Sequence, residues 1–158
     1  MPGCGKTTIG EELSNLIGYE FYDCDLYVEQ LAGKTIPALF SESEELFRNW
    51  ETQACMALSK KQKAIISTGG GVIKKAENIQ ILKATGTLFF IDRPVNHIQQ
   101  NVDVTTRPLL ANDPLKLYDL YLERYPLYKQ YADHVIPNAG DLSTVLLTIK
   151  EVLSHAND

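Results

Sequence analysis

Near the start of the chain, Gly3-Cys4-Gly5-Lys6-Thr7-Thr8 has the residue types and spacing needed to hold phosphate. Gly3 and Gly5 let the backbone turn so that successive N–H groups point inward around phosphate oxygens, with Cys4 and Thr8 completing the cradle. Lys6 brings a point charge to the β/γ-phosphates, and the Thr7 hydroxyl suits Mg²⁺. Ile9, Leu13, Leu16 and Ile17 then repeat at helical spacing up to Gly18, so a helix N-terminus adds its dipole to the anion site. The pattern is the end of G-x-x-x-x-G-K-[ST], whose first glycine would fall one position before Met1. It reads as ATP or GTP binding; the plainer alternative is a glycine-rich turn before an ordinary helix.

A loop of this kind joins a buried strand to its helix, and no strand precedes it here. The expectation is that about eight residues are missing from the start and form a central strand. Without that strand, its neighbours keep unpaired backbone groups.

Phosphoryl transfer also needs a metal site, a positioned hydroxyl and positive charge on the transferring group. The buried strand that usually ends in a metal-binding Asp ends here in Ser67-Thr68, so Asp23 and Asp25 are the substitutes. Two apart at a strand end, one can hold Mg²⁺ through water while the other accepts a hydroxyl proton. The plainer use of Asp25 is to cap the helix that follows. Gly69-Gly70-Gly71 exceeds what a single tight turn needs and lets a ligand reach bare backbone N–H groups. Arg48 and Arg124 have the fork geometry that suits a carboxylate, unless they pair with Glu44 or Glu51 and with Asp119 or Glu123. Arg107, before Pro108 on an extended stretch, suits a lid charge or is an ordinary loop arginine.

The elements that position these residues alternate between strand and helix, which implies an α/β fold on a parallel sheet. Strands are expected at 19–22, 64–67 (buried), 87–91 and 134–136. Helices are expected after Thr8, at 26–32, after the Thr35 cap, from Ser43 to about Ser59, and at 78–84. Further helices run from Pro94 to about Gln100, over 115–132 with a disturbance at Pro126, and over 143–153; His155 to Asp158 should fray. On 158 residues with 44% hydrophobic and 22% charged positions, one compact domain (1–158) forms. A net charge of −5 argues against nucleic acid and anionic membranes, and no apolar run is long enough to span a bilayer. Three cysteines without metal or C-x-x-C spacing fit reduced thiols in a cytoplasmic protein, and Cys4 is more simply an inert small residue than a thiol switch.

Taken together, Gly5-Lys6-Thr7-Thr8, Asp23-x-Asp25, Leu46-Phe47-Arg48-x-x-Glu51, Ser67-Thr68-Gly69-Gly70-Gly71 and Arg107-Pro108-Leu109-Leu110 resemble the shikimate kinase family, in order and over nearly the whole chain. The resemblance implies a three-layer P-loop kinase fold, with a five-stranded parallel sheet flanked by helices, a substrate-binding region at about 26–55 and a lid at about 101–112. It implies Mg²⁺-dependent transfer from ATP to shikimate, giving ADP and shikimate 3-phosphate in aromatic amino-acid biosynthesis, by a monomer. By motif position, Asp25 meets the ring hydroxyls as base or orienting group, and Asp23 serves Mg²⁺. Arg48 and Arg124 hold the carboxylate, Glu51 supports Arg48, Gly69, Gly70 and Gly71 line the acceptor, and Arg107 reaches the transferring phosphate.

The chain departs from the family pattern at three places. The first loop glycine and its strand are absent, Ser43 replaces a usual Gly, and 99–104 carries no basic residue, which shifts adenine contacts to Pro137, Asn138 and their loop. The competing readings are a kinase for gluconate or a nucleoside monophosphate, and a nucleotide-binding relative without activity. A nucleotide acceptor calls for several lid arginines, where this lid has Arg107 alone, and the retained Lys6, Asp23, Asp25 and Arg107 speak against an inactive relative.

Overall fold

The computed structural model describes residues 4–101 and 114–155. Gly3, Arg107 and almost all of the expected lid therefore lie outside the described residues. In chain order the elements are α1 (Lys6–Ile17), β1 (Glu20–Asp23), α2 (Cys24–Ala32), α3 (Ile36–Glu42), α4 (Glu44–Leu58) and β2 (Ala64–Ser67). There follow α5 (Ala76–Lys83), β3 (Phe89–Asp92), α6 (Val95–Asn101), α7 (Pro114–Tyr131), β4 (His134–Pro137) and α8 (Leu142–His155).

Local chemistry sets most boundaries. Gly5 takes φ 89°, a left-handed turn that a side chain would resist, and α1 begins directly after it with no side-chain cap. Asp23, Thr35 and Ser43 each cap the following helix by accepting backbone N–H groups. The cap of α2 is thus Asp23 rather than Asp25, two residues earlier than the plain reading of the sequence. A 3₁₀ turn at Val72–Lys74, which the sequence did not signal, links the glycine run to α5. Pro126 does not end α7. Both Pro126 and Leu122, one turn earlier, are exposed, so water can serve the carbonyl that the proline ring leaves without a donor.

The strands pair in parallel as β1–β2 and β3–β4. In the first pair Asp23 lies opposite Ser67, so both strands deliver their chains to one end of the fold. No pairing joins β2 to β3 among the described residues. Between them is a cavity of about 760 Å³ whose walls include Ile65, Ile66, Leu88 and Phe89. The cavity explains why Ala64, Ile65 and Ile66 are half-buried instead of buried as expected. Ile9 and Leu13 of α1, Val28 of α2, Phe47 and Leu58 of α4, and Val145 and Ile149 of α8 belong to the buried apolar core.

Candidate active site

The site gathers at the C-terminal ends of β1 and β2, where ligands meet open α/β sheets. Cys4 to Thr8 form one side of it. Cys4 is 1% exposed, so the loop presents backbone and not a thiol. Lys6 borders a cavity of about 70 Å³ together with Cys4, Thr68, Gly69, Gly70 and Tyr128. The Thr7 hydroxyl donates to Asp23 Oδ2 at 3.4 Å. Asp23 Oδ1 accepts the N–H groups of Asp25 and Leu26, at 2.9 and 3.1 Å. One carboxylate therefore caps α2 with one oxygen and faces the loop hydroxyl with the other. Its backbone is ordinary extended (φ −93°, ψ 119°), so the two roles coexist without strain.

The other side is built on α4. Arg48 is 6% exposed and Glu51 1% exposed. Arg48 Nη1 donates to both Glu51 oxygens, at 2.9 and 3.2 Å, while Nε and Nη2 each reach Glu44 Oε1 at 3.3 Å. Its guanidinium also lies over the Phe47 ring, 4.9 Å from the centroid. The ion pairs weighed against a functional Arg48 are thus both present, and they fix the orientation of the fork. Burial pushes the Glu51 carboxyl above its ordinary range; the Arg48 guanidinium pulls it back only in part, and the nearby Asp25 charge adds to the rise.

The glycine run is there for space. Neither Gly69 nor Gly71 has a positive φ. A Cβ on Gly69 would sit 2.9 Å from Asp25 Oδ1 and 3.2 Å from Glu51 Oε2, and one on Gly71 would sit 2.6 Å from Arg48 Cζ. Asp25, Arg48, Glu51 and the glycine backbone therefore share one small volume. Arg124, 2% exposed, comes to the same region from α7, where its charge acts on Tyr128 and Glu51. Its Nε is buried with no hydrogen-bond partner among the described residues. An orphaned charged donor in such a place suits an incoming anion.

Several residues that shape the site gave no signal in the sequence. The Tyr128 hydroxyl donates to Gly70 O. In a trans peptide the carbonyl and the next N–H point opposite ways, so this bond aims the Gly71 N–H away from Tyr128. Burial raises the Tyr128 hydroxyl to about 12, which keeps it a donor. Asn78 is fully buried, accepts from Thr52 Oγ1 at 2.7 Å and donates to Val72 O at 3.1 Å, tying α4 to the end of the glycine run. Asn138, expected beside adenine, engages both ends of its amide within the protein: Nδ2 donates to Cys4 O at 3.0 Å, and Oδ1 accepts from Gly140 N at 3.1 Å.

Comparison with known proteins agrees with this geometry. The family model described as shikimate kinase matches residues 2–154. A shikimate kinase of Clostridium beijerinckii is 47% identical over 153 residues, covering 97% of this chain and 90% of the relative. One from Neisseria gonorrhoeae is 36% identical over 154 residues, covering 95% and 91%. Among solved structures, shikimate kinase from Acinetobacter baumannii in complex with shikimate superposes with a TM-score of 0.90 at 35% identity, covering 98% of this chain and 90% of that one. Shikimate kinase from Aquifex aeolicus gives 0.84 at 32% identity, covering 98% and 93%. A match that runs almost end to end, on a chain whose loop, carboxylates, arginines and glycines meet at one strand end, makes this protein a member of the shikimate kinase family.

Proposed function

We propose that this chain transfers the γ-phosphoryl group of ATP to shikimate, giving ADP and shikimate 3-phosphate. The observation that carries the proposal is the packing of Asp25, Arg48 and Glu51 against the backbone of Gly69 and Gly71 in a chain of this family. Shikimate offers a carboxylate and ring hydroxyls. Two guanidinium forks, Arg48 and Arg124, suit the first by paired charge-assisted hydrogen bonds, and Asp25 suits the second.

In this reading Gly3 to Thr8 hold the nucleotide phosphates, Lys6 and Arg107 carry positive charge to the transferring group, and Asp25 orients the acceptor hydroxyl and takes its proton. Glu51 keeps Arg48 in position, while Gly69, Gly70 and Gly71 line the acceptor with backbone. Thr7 and Asp23 are hard oxygen donors side by side, a set that fits Mg²⁺, which keeps several waters and few protein ligands. When bound, Mg²⁺ would neutralise charge on the phosphate oxygens. The domain spans 1–158, with an acceptor region at 26–55 and a lid at 101–112. We take it to act as a monomer, as the family resemblance implies. The cysteines, all free, fit a reducing compartment such as the cytoplasm.

An ADP-release assay with shikimate, gluconate and nucleoside monophosphates offered in parallel tests the proposal. Turnover with shikimate alone is expected. Turnover with either of the other acceptors and none with shikimate would overturn it.

A further inference from the structure

The buried amide of Asn138 is engaged at both its nitrogen and its oxygen within the protein, and its position suggests a different task from a base contact. It is 7% exposed and stands at the corner between β4 and α8. Its backbone N–H donates to Asp92 O at the end of β3, at 2.8 Å. Its side chain bridges from Cys4 O to Gly140 N, and Nδ2 lies 3.6 Å from where a Cβ on Gly5 would sit. The Nδ2 and Oδ1 assignment follows from the partners, a carbonyl on one side and an N–H on the other.

We infer that Asn138 is a positioning residue that clasps the phosphate loop to the β4–α8 corner and so sets the direction of the Gly5 N–H. Cys4 and Gly5 share a trans peptide, and fixing the Cys4 carbonyl toward Asn138 turns the Gly5 N–H the opposite way. Gly5 has a left-handed φ of 89°, a conformation that places successive N–H groups on one concave side, as anion-binding loops require. Without Asn138 the buried Cys4 carbonyl would have to find another donor, and the loop would shift to supply one. The second anchor, Gly140 at φ 112°, belongs to the short turn that leads into α8, whose start Asp141 caps through Ser143 N and Thr144. The inference rests on the reading that Cys4 to Thr8 hold the nucleotide phosphates, and it assigns to Asn138 an effect on phosphate rather than on adenine.

The test compares the wild-type protein with Asn138→Ala, Asn138→Asp and Asp141→Ala. Asn138→Asp keeps the shape and the acceptor for Gly140 but turns an oxygen toward Cys4 O, so it stays informative if the alanine variant folds poorly. Asp141→Ala removes the neighbouring helix cap without touching the clasp. Each protein is titrated with ADP and, separately, with inorganic tripolyphosphate, and KM is measured for ATP and for shikimate. Both Asn138 variants are expected to bind ADP and tripolyphosphate about tenfold more weakly. KM for ATP should rise with the Kd values while KM for shikimate stays unchanged, and Asp141→Ala should lose only thermal stability. Unchanged ADP and tripolyphosphate binding in the Asn138 variants would overturn the clasp. Loss of ADP binding with tripolyphosphate binding intact would overturn it in favour of a base contact. Failure of the wild-type protein to bind either probe would overturn the phosphate-loop reading and the clasp with it.

Discussion

The Cζ atom of Arg48 lies 2.6 Å from the point that a Cβ on Gly71 would occupy, so these two positions, one on α4 and one after β2, cannot both carry a side chain in their present places. The guanidinium is held on its other sides by Glu51, Glu44 and the Phe47 ring, which leaves it little room to retreat. Gly71→Ala should therefore displace the fork and raise KM for shikimate at least about tenfold, the scale of a lost charge-assisted hydrogen bond. The Kd for ADP should stay within about twofold. Equal weakening of both ligands would show that the two residues do not act on the acceptor alone.

Arg48 and Arg124 should separate when stability is measured. Removing Arg48 leaves Glu51 buried without its charge partner, so Arg48→Ala is expected to cost about 3–5 kcal/mol as well as acceptor affinity. Arg124 carries an unpartnered buried Nε, so Arg124→Met should leave the unfolding midpoint unchanged or raised while still weakening shikimate binding. Denaturant melts and calorimetry with shikimate check both. A destabilised Arg124→Met with full affinity would reverse the assignment.

Glu51 gives a pH signature. Its folded-state value is raised above the ordinary 4.5 by burial, so its contribution to stability is fully present below that value and is lost as pH rises through the raised one. Wild-type protein should therefore lose stability relative to Glu51→Gln over the pH range that begins at the ordinary 4.5 and rises from there. Thermal melts of the two proteins across that range test the sign; a gap that narrows in the opposite direction contradicts the burial argument.

Asp23 performs its two tasks with different oxygens, and two substitutions should split them. Asparagine is as good a helix cap as aspartate but carries no charge, so Asp23→Asn should keep the melting temperature and raise the Mg²⁺ concentration needed for half-maximal rate. Asp23→Ala should do both kinds of damage, with about 1 kcal/mol lost from the cap. An unchanged Mg²⁺ requirement in both variants would remove Asp23 from the metal site.

What the sequence disclosed, and what it withheld, divides along a physical line. The phosphate loop, the Asp23–Asp25 pair, Arg48 three residues before Glu51 and the glycine run are each short-range patterns, and local backbone geometry keeps their members together. The parallel α/β order follows from alternating periodicity, and the capping of α3 and α4 from Thr35 and Ser43. The cap of α2 was misplaced by two positions because Asp23 and Asp25 have the same chemistry, and only backbone conformation decides which one precedes the first turn. Tyr128 on Gly70 O, Asn78 under Thr52 and Asn138 on Cys4 O join residues 58, 26 and 134 positions apart. Such contacts depend on how the layers stack, and an isolated Tyr or Asn in a helix or loop carries no mark of its distant partner. The half-burial of β2 likewise depends on the open space between it and β3 and not on its own apolar residues.

The central claim is that Asp25 works on the acceptor hydroxyl inside a site whose binding groups lie elsewhere. Its most direct test measures kcat and the shikimate Kd on the same preparation of Asp25→Asn. The account predicts a kcat lower by at least about a hundredfold with the Kd changed only a few-fold. Near-normal turnover, or a loss carried entirely by the Kd, would contradict it.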